Sequence, residues 1–152
     1  PLEMAAAYLA FVNWGVGVRP QFFRNAVDAN GRIQIPVERK EGPIISPIAA
    51  YQTLYLMRQV VRSGTGRRPI GEKFPSPPFP QIAGKTGTAQ LGTDPPRSHA
   101  WVIGFAGPPG EQAQVAVAVL VQGQPGASEQ TGGKVAAPIA KRVLEAALAP
   151  SR

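Results

Sequence analysis

One stretch of the 152-residue sequence combines reactive side chains with backbone freedom: Gly84-Lys85-Thr86-Gly87-Thr88-Ala89-Gln90, led in by Gln81-Ile82-Ala83. An ammonium and two hydroxyls this close together make an anion-binding edge. If the stretch is extended, successive side chains alternate faces, so Thr86 and Thr88 share one face while Lys85 and Gly87 take the other. Gly87 removes the side chain that would keep a ligand's main chain from lying against the strand. Gly-Lys-Thr also ends the phosphate-loop pattern. That pattern fails here, because Phe79 stands where its first glycine belongs and Thr88 to Gly92 continues as strand and turn, not as helix.

Composition narrows the remaining chemistry. The length suits one domain that removes roughly two thirds of its unfolded surface from water. A net charge of +7, from 16 basic and 9 acidic side chains, favours anionic partners. The basic residues are scattered without aromatic interleaving, so nucleic acid is not expected. With no cysteine there are no disulfides or thiolate metal sites, and one histidine with few, unpaired acidic residues gives no metal constellation. No cofactor is expected. The apolar run Met4 to Val12 is too short to span a bilayer.

The elements that must position the Lys-Thr-Gly stretch can be read in order. Leu2, Met4, Ala5, Leu9, Val12 and Trp14 recur at helical spacing and predict a packed helix over 2–14, with the small Ala5-Ala6-Ala7 group letting a neighbouring element approach closely, Phe11 and Trp14 as core and Gly15 as its end. Asp28-Ala29-Asn30-Gly31 predicts a hairpin between 21 and 37, Asn and Gly supplying positive φ. Glu38 to Pro43 reads as a solvated linker. Ser46-Pro47 opens a helix as cap and first residue, Ala50, Leu54, Met57 and Val61 form its buried stripe, and Gly64 stands where a left-handed cap is expected. The proline-rich stretch from Arg67 to Pro80 is a crossing loop. The Lys-Thr-Gly strand is followed by a strand from His99 to Ala106, one over Gln112 to Gln122 covered on both faces, and a helix over 131–148 with Ala140, Val143, Leu144, Ala147 and Leu148 on one stripe. The expected fold class is α/β (α+β): an antiparallel meander carrying the Lys-Thr-Gly strand, flanked by N-terminal helices and a C-terminal helix packed on the sheet.

Three strings, Ala83-Gly84-Lys85-Thr86-Gly87-Thr88-Ala89-Gln90, Ser98-His99-Ala100-Trp101-Val102-Ile103-Gly104-Phe105-Ala106 and Thr131-Gly132-Gly133-Lys134-Val135-Ala136-Ala137-Pro138-Ile139-Ala140, resemble the transpeptidase domain of class B penicillin-binding proteins, actinobacterial type. These are serine acyl-transferases of the β-lactamase-like superfamily. The resemblance runs from Pro1 to about Ala149, implies a turn at Gly64-Thr65-Gly66 between the second helix and the Lys-Thr-Gly strand, and departs at Val102, where the family often has phenylalanine. It implies a serine D,D-transpeptidase that cross-links peptidoglycan stem peptides ending in D-Ala-D-Ala and binds β-lactams, outside the cytoplasmic membrane and anchored by a segment this chain does not contain. A glycosyltransferase partner of the complete protein is implied as well. By the same resemblance Lys85 supplies positive potential and a hydrogen bond, and Thr86 and Thr88 hydroxyls take the substrate carboxylate. Gly87 lets the ligand lie along the strand, and the Thr88 N–H forms half of an oxyanion hole.

Such chemistry also needs a lysine-activated serine. Ser46, Ser63, Ser76, Ser98, Ser128 and Ser151 all lack the partners of a Ser-x-x-Lys or Ser-x-Asn element. The chain is therefore expected to be the C-terminal portion, 1–152, of a single transpeptidase domain, inactive alone. Two other readings share the site: a β-lactam-sensing or inactive penicillin-recognition module, and a β-lactamase or D,D-carboxypeptidase. His99 and Trp101 are expected to serve packing.

Overall fold

A computed structural model describes residues 1–23, 25–36, 41–70, 81–108, 111–126 and 130–149. The first helix, α1, spans Leu2–Val12. Of the expected stripe Leu2 and Met4 are exposed, while Ala6 from the small group and Ala10 are buried. Small residues let the helix backbone approach the sheet, and Tyr8, Phe11 and Val12 pack beside them on Met57, Ala83 and Phe105. Trp14 is not core. It adopts a left-handed φ of 54° that turns its ring outward, 59% exposed, onto Tyr51, with parallel planes and centroids 6.5 Å apart.

Two short ribbons precede the second helix. β1 (Val16–Val18) pairs antiparallel with β4 (Glu41–Pro43), so the last part of the expected linker is a strand. Residues 38–40 lie outside the described residues. The expected hairpin is β2 (Asn25–Val27) and β3 (Ile33–Pro36). Only Gly31 in its turn has positive φ, at 76°. Asn30 does not, because the Asp28 carboxylate accepts from the N–H groups of Asn30 (2.8 Å) and Arg32 (3.0 Å) and holds the turn locally.

Helix α2 (Pro47–Arg62) starts as expected, with Ser46 Oγ accepting from the Ala49 N–H at 3.2 Å, and buries Ala50, Met57 and Val61. Gly64 is not a left-handed cap. Its use is steric: a Cβ there would lie 2.9 Å from Val60 Cα, so glycine lets the chain fold tightly back over the helix end. Of the crossing loop, residues 71–80 lie outside the described residues.

The rest is a meander in the order β5-β6-β7, with β5 (Gln81–Gln90) at one end, β6 (Ser98–Gly107) in the middle and β7 (Val115–Val121) at the other. A π-helical turn, Gly132–Ala136, runs into α3 (Ala137–Leu148), which packs on β6 and β7. The main core lies between them: Val61, Ile70, Ile82, Ala100, Val102, Ala106, Val117, Ala136, Ala137, Ala140 and Leu144 are buried together. β7 has α3 on one face and α1 on the other, as expected, but at this end of the sheet among the described residues its burial is partial, with Val117 buried and Leu120 exposed. On α3 the buried positions are Ala137, Ala140 and Leu144, while Val143 and Ala147 face outward. Leu144, 1% exposed, is the large side chain that α3 contributes. Leu144→Ala is expected to lower unfolding stability by about 3 kcal/mol in denaturant titration, and Val143→Ala by less than about 1 kcal/mol.

Candidate functional site

The Lys-Thr-Gly stretch is strand and not phosphate loop. β5 pairs with β6 in an unbroken antiparallel register from Gln81↔Gly107 to Gln90↔Ser98, so Lys85 stands opposite Ile103, Thr86 opposite Val102, Gly87 opposite Trp101 and Thr88 opposite Ala100. Val102 and Ala100 belong to the core under α3, which places Thr86 and Thr88 on the α3 face of the sheet. The alternation expected from the sequence therefore holds, and the two threonines share a face.

Because β5 ends the sheet among the described residues, one side of its main chain is not taken up by β6. Lys85 and Thr88 are exposed there, and Thr86 and Gly87 are half-buried. Lys85 Nζ donates to the carbonyl oxygen of Thr86. A lysine tip can reach its neighbour's carbonyl only on the edge that β6 leaves open, and main-chain groups two residues apart on an antiparallel strand point to the same side. The Thr88 N–H thus faces the same open edge as the Thr86 carbonyl.

Three segments brace this half of β5. Thr65, in the turn after α2, makes a 2.6 Å hydroxyl–hydroxyl hydrogen bond with Thr86. The π turn presses on the strand from the α3 face: a Cβ on Gly132 would sit 2.6 Å from Gly87 O and 2.8 Å from Gly87 N. That turn is capped by Thr131, whose Oγ1 accepts from the Lys134 N–H at 3.3 Å. Third, β6 is tied down at its start, where His99 Nδ1 accepts from the Gly123 N–H at 3.0 Å. His99 is accordingly a strand anchor beside the site. Trp101 lies across from Gly87, with its Cβ 3.6 Å from where a Gly87 Cβ would be, and its carbonyl meets the π turn.

The sequence singled out Lys85, Thr86, Gly87 and Thr88, and the fold puts all four on one open strand edge. It gave no sign of Thr65 or Gly132 as neighbours of that edge, since both arrive from far along the chain. The only available hints were the glycines around Thr65 and the doubled glycine at 132–133. Among the described residues no cluster of His, Cys, Asp or Glu could hold a metal, and no helix is long and apolar enough to cross a membrane.

The family description "Penicillin binding protein transpeptidase domain" matches residues 1–145. The peptidoglycan D,D-transpeptidase PbpA of Mycobacterium tuberculosis is 36% identical over 151 residues, covering 97% of this chain and 29% of that protein. The stage V sporulation protein D of Bacillus subtilis is 32% identical over 156 residues, covering 97% of this chain and 22% of that protein. The chain therefore spans less than a third of the length of these relatives. In three dimensions it superimposes on penicillin-binding protein A of M. tuberculosis, solved as a ceftriaxone acyl-enzyme complex, with TM-score 0.76 and 35% identity over 97% of this chain and 32% of that one. A D,D-transpeptidase domain from Eggerthella lenta gives TM-score 0.72 at 28% identity, over 96% of this chain and 31% of that one. With its Lys-Thr-Gly strand at the open end of a three-stranded meander, the chain belongs to the penicillin-binding protein transpeptidase domain family, in its class B form, within the serine acyl-transferase and β-lactamase-like superfamily.

Proposed function

We propose that this chain is the C-terminal portion of a single transpeptidase domain and forms the carboxylate-binding and oxyanion side of a serine D,D-transpeptidase that cross-links peptidoglycan stem peptides. The observation that carries this reading is the open edge of β5, where an exposed ammonium, two hydroxyls on one face and an outward N–H lie within four consecutive residues.

In that role a peptide ending in D-Ala-D-Ala, or a β-lactam, lies along β5, and Gly87 leaves space for its main chain. The terminal carboxylate accepts from the Thr86 and Thr88 hydroxyls, with Lys85 supplying positive charge beside it. The Thr88 N–H points to the carbonyl oxygen that becomes the oxyanion when a serine attacks. The attacking serine and its base come from sequence not contained in these 152 residues, since none of the six serines has a lysine three positions on. The acyl-enzyme forms as the serine Oγ–carbonyl bond is made and the C-terminal D-alanine leaves with a proton. An amine of a second stem peptide then takes the acyl group. The complete protein is placed outside the cytoplasmic membrane, anchored by another segment, and works with a glycosyltransferase that supplies the glycan.

The test is Thr88→Val in the complete protein, which keeps the strand former and removes only the hydroxyl. Acylation by labelled penicillin is expected to slow about 10-fold, the worth of one hydrogen bond to a charged group. Unchanged acylation would overturn the assignment of Thr88.

A further inference from the structure

We infer that Thr65 is a positioning residue for the carboxylate site, donating to the Thr86 hydroxyl when the Thr86 proton goes to a bound carboxylate. The inference rests on the proposed carboxylate role of Thr86 and adds to it a residue from another element.

The position of Thr65 is unusually well determined for an exposed turn residue. The Gly64 N–H donates to Gln59 O and the Gly66 N–H to Val60 O, both at 3.0 Å, which pins both flanks of Thr65 to the last turn of α2. Its own carbonyl lies 3.1 Å from where a Gly133 Cβ would be, so the π turn closes over it from the other side. A β-branched side chain on a fixed backbone has little rotamer freedom, and Thr65 Oγ1 is thereby set 2.6 Å from Thr86 Oγ1.

The proton count gives this contact a direction. Each hydroxyl has one proton and accepts through lone pairs, so in the hydroxyl pair alone either atom can donate. When a carboxylate, which only accepts, sits beside Thr86, the Thr86 proton must go to it. Thr65 then has to donate to Thr86. The pair becomes a two-hydroxyl chain running from Thr65 through Thr86 to the carboxylate, in which each bond polarises the next. Without the Thr65 hydroxyl, Thr86 Oγ1 loses the donor that supports this orientation and polarises its own O–H toward the carboxylate.

The experiment compares acylation rate constants of the complete protein for benzylpenicillin and for its methyl ester, which has the same ring and no anionic carboxylate. The quantity read is the ratio of the two on one preparation, which cancels any difference in the folded fraction. Thr65→Val is expected to lower that ratio about 5-fold, as one neutral hydrogen bond would, and Thr65→Ser to restore it. If Thr65→Val slows both compounds equally, or Thr65→Ser fails to restore the ratio, Thr65 is a structural residue and the inference is overturned. Thr86→Val is the arm that tests the underlying reading. If it leaves the ratio unchanged, the carboxylate does not bind at Thr86 and both ideas fall; if it lowers the ratio while Thr65→Val does not, only the role of Thr65 falls.

Discussion

Replacing Lys85 with alanine in the complete protein is expected to reduce acylation by penicillin about 100- to 1,000-fold, with little change in stability. The two parts of this expectation have separate causes. Lys85 is exposed, and its one described contact is the donation to Thr86 O on its own strand edge. Removal of such a side chain costs the fold at most about 0.5 kcal/mol. In the proposed reaction, however, its ammonium lies beside the edge where negative charge accumulates, first as the substrate carboxylate and then as the oxyanion. A preorganised charged donor of this kind contributes about 3 to 4 kcal/mol to the barrier, which is the fold-change stated. Lys85→Arg separates charge from geometry, because a planar fork cannot occupy the place of a compact ammonium and recovers activity only in part. An equal loss of stability and activity in Lys85→Ala would mean that the lysine is a structural member of β5. The limiting case of the same assay is the 152-residue chain alone, in which no serine has a lysine three positions on and which is expected to form no adduct. A covalent penicillin adduct on this chain would show that the nucleophile lies within it.

The parts of the fold that could be read in the sequence are those whose signal is local. The Ser46-Pro47 cap, the stripe at Ala50, Met57 and Val61, the hairpin turn at Gly31 and the long alternation of β5 each follow from residues within one or two turns of each other. The parts that could not be read depend on what lies opposite. β1 and β4 have only three residues each, with a glycine in the middle of both, and pair with each other across more than twenty residues. Neither has enough length to alternate. In α1 the Ala5-Ala6-Ala7 group did signal a close approach, and Ala6 makes it, but Leu2 and Met4, which carried part of the periodic signal, lie exposed. Trp14 was misplaced for a related reason: size suggested core, while a left-handed φ at the helix end turned the ring onto Tyr51.

The site divides along the same line. Lys85, Thr86, Gly87 and Thr88 are consecutive, so one strand suffices to assemble them and their spacing states the alternation outright. The bracing of that strand is long-range. Thr65 lies 21 residues before Thr86, and Gly132 packs on a residue 45 positions earlier in the chain. Nothing in either local sequence specifies its partner. What the motif supplies is the chemistry of the edge; what the fold adds is the precision with which that edge is held, and a mismatch of about 1 Å at such a site is enough to lose much of its rate.

That precision is tested most severely at Gly132, where Gly132→Ala is expected to cost about 3 kcal/mol or more and to slow acylation with it. The added Cβ would lie 2.1 Å from Trp101 O, 2.6 Å from Gly87 O and 2.8 Å from Gly87 N. All three are main-chain atoms of paired strands, so no rotamer change relieves the overlap, and either the π turn withdraws or β5 bends at Gly87. Withdrawal uncovers the core formed by Ala136, Ala137, Ala140 and Leu144, and bending moves Thr86 and Thr88 out of register with each other. The expected readout is faster amide hydrogen exchange in β5 and α3 together with slower acylation. Two other glycines calibrate the result. Gly133→Ala brings its Cβ to 3.1 Å from Thr65 O, a contact that a shift of a few tenths of an ångström relieves, and should cost about 1 kcal/mol. Gly42→Ala, which meets nothing within 4 Å, should be neutral or stabilising by up to about 1 kcal/mol through the unfolded chain. A Gly132→Ala protein as stable and as readily acylated as Gly42→Ala would mean that the π turn does not press on β5, and the bracing of the carboxylate edge from the α3 face would have to be abandoned.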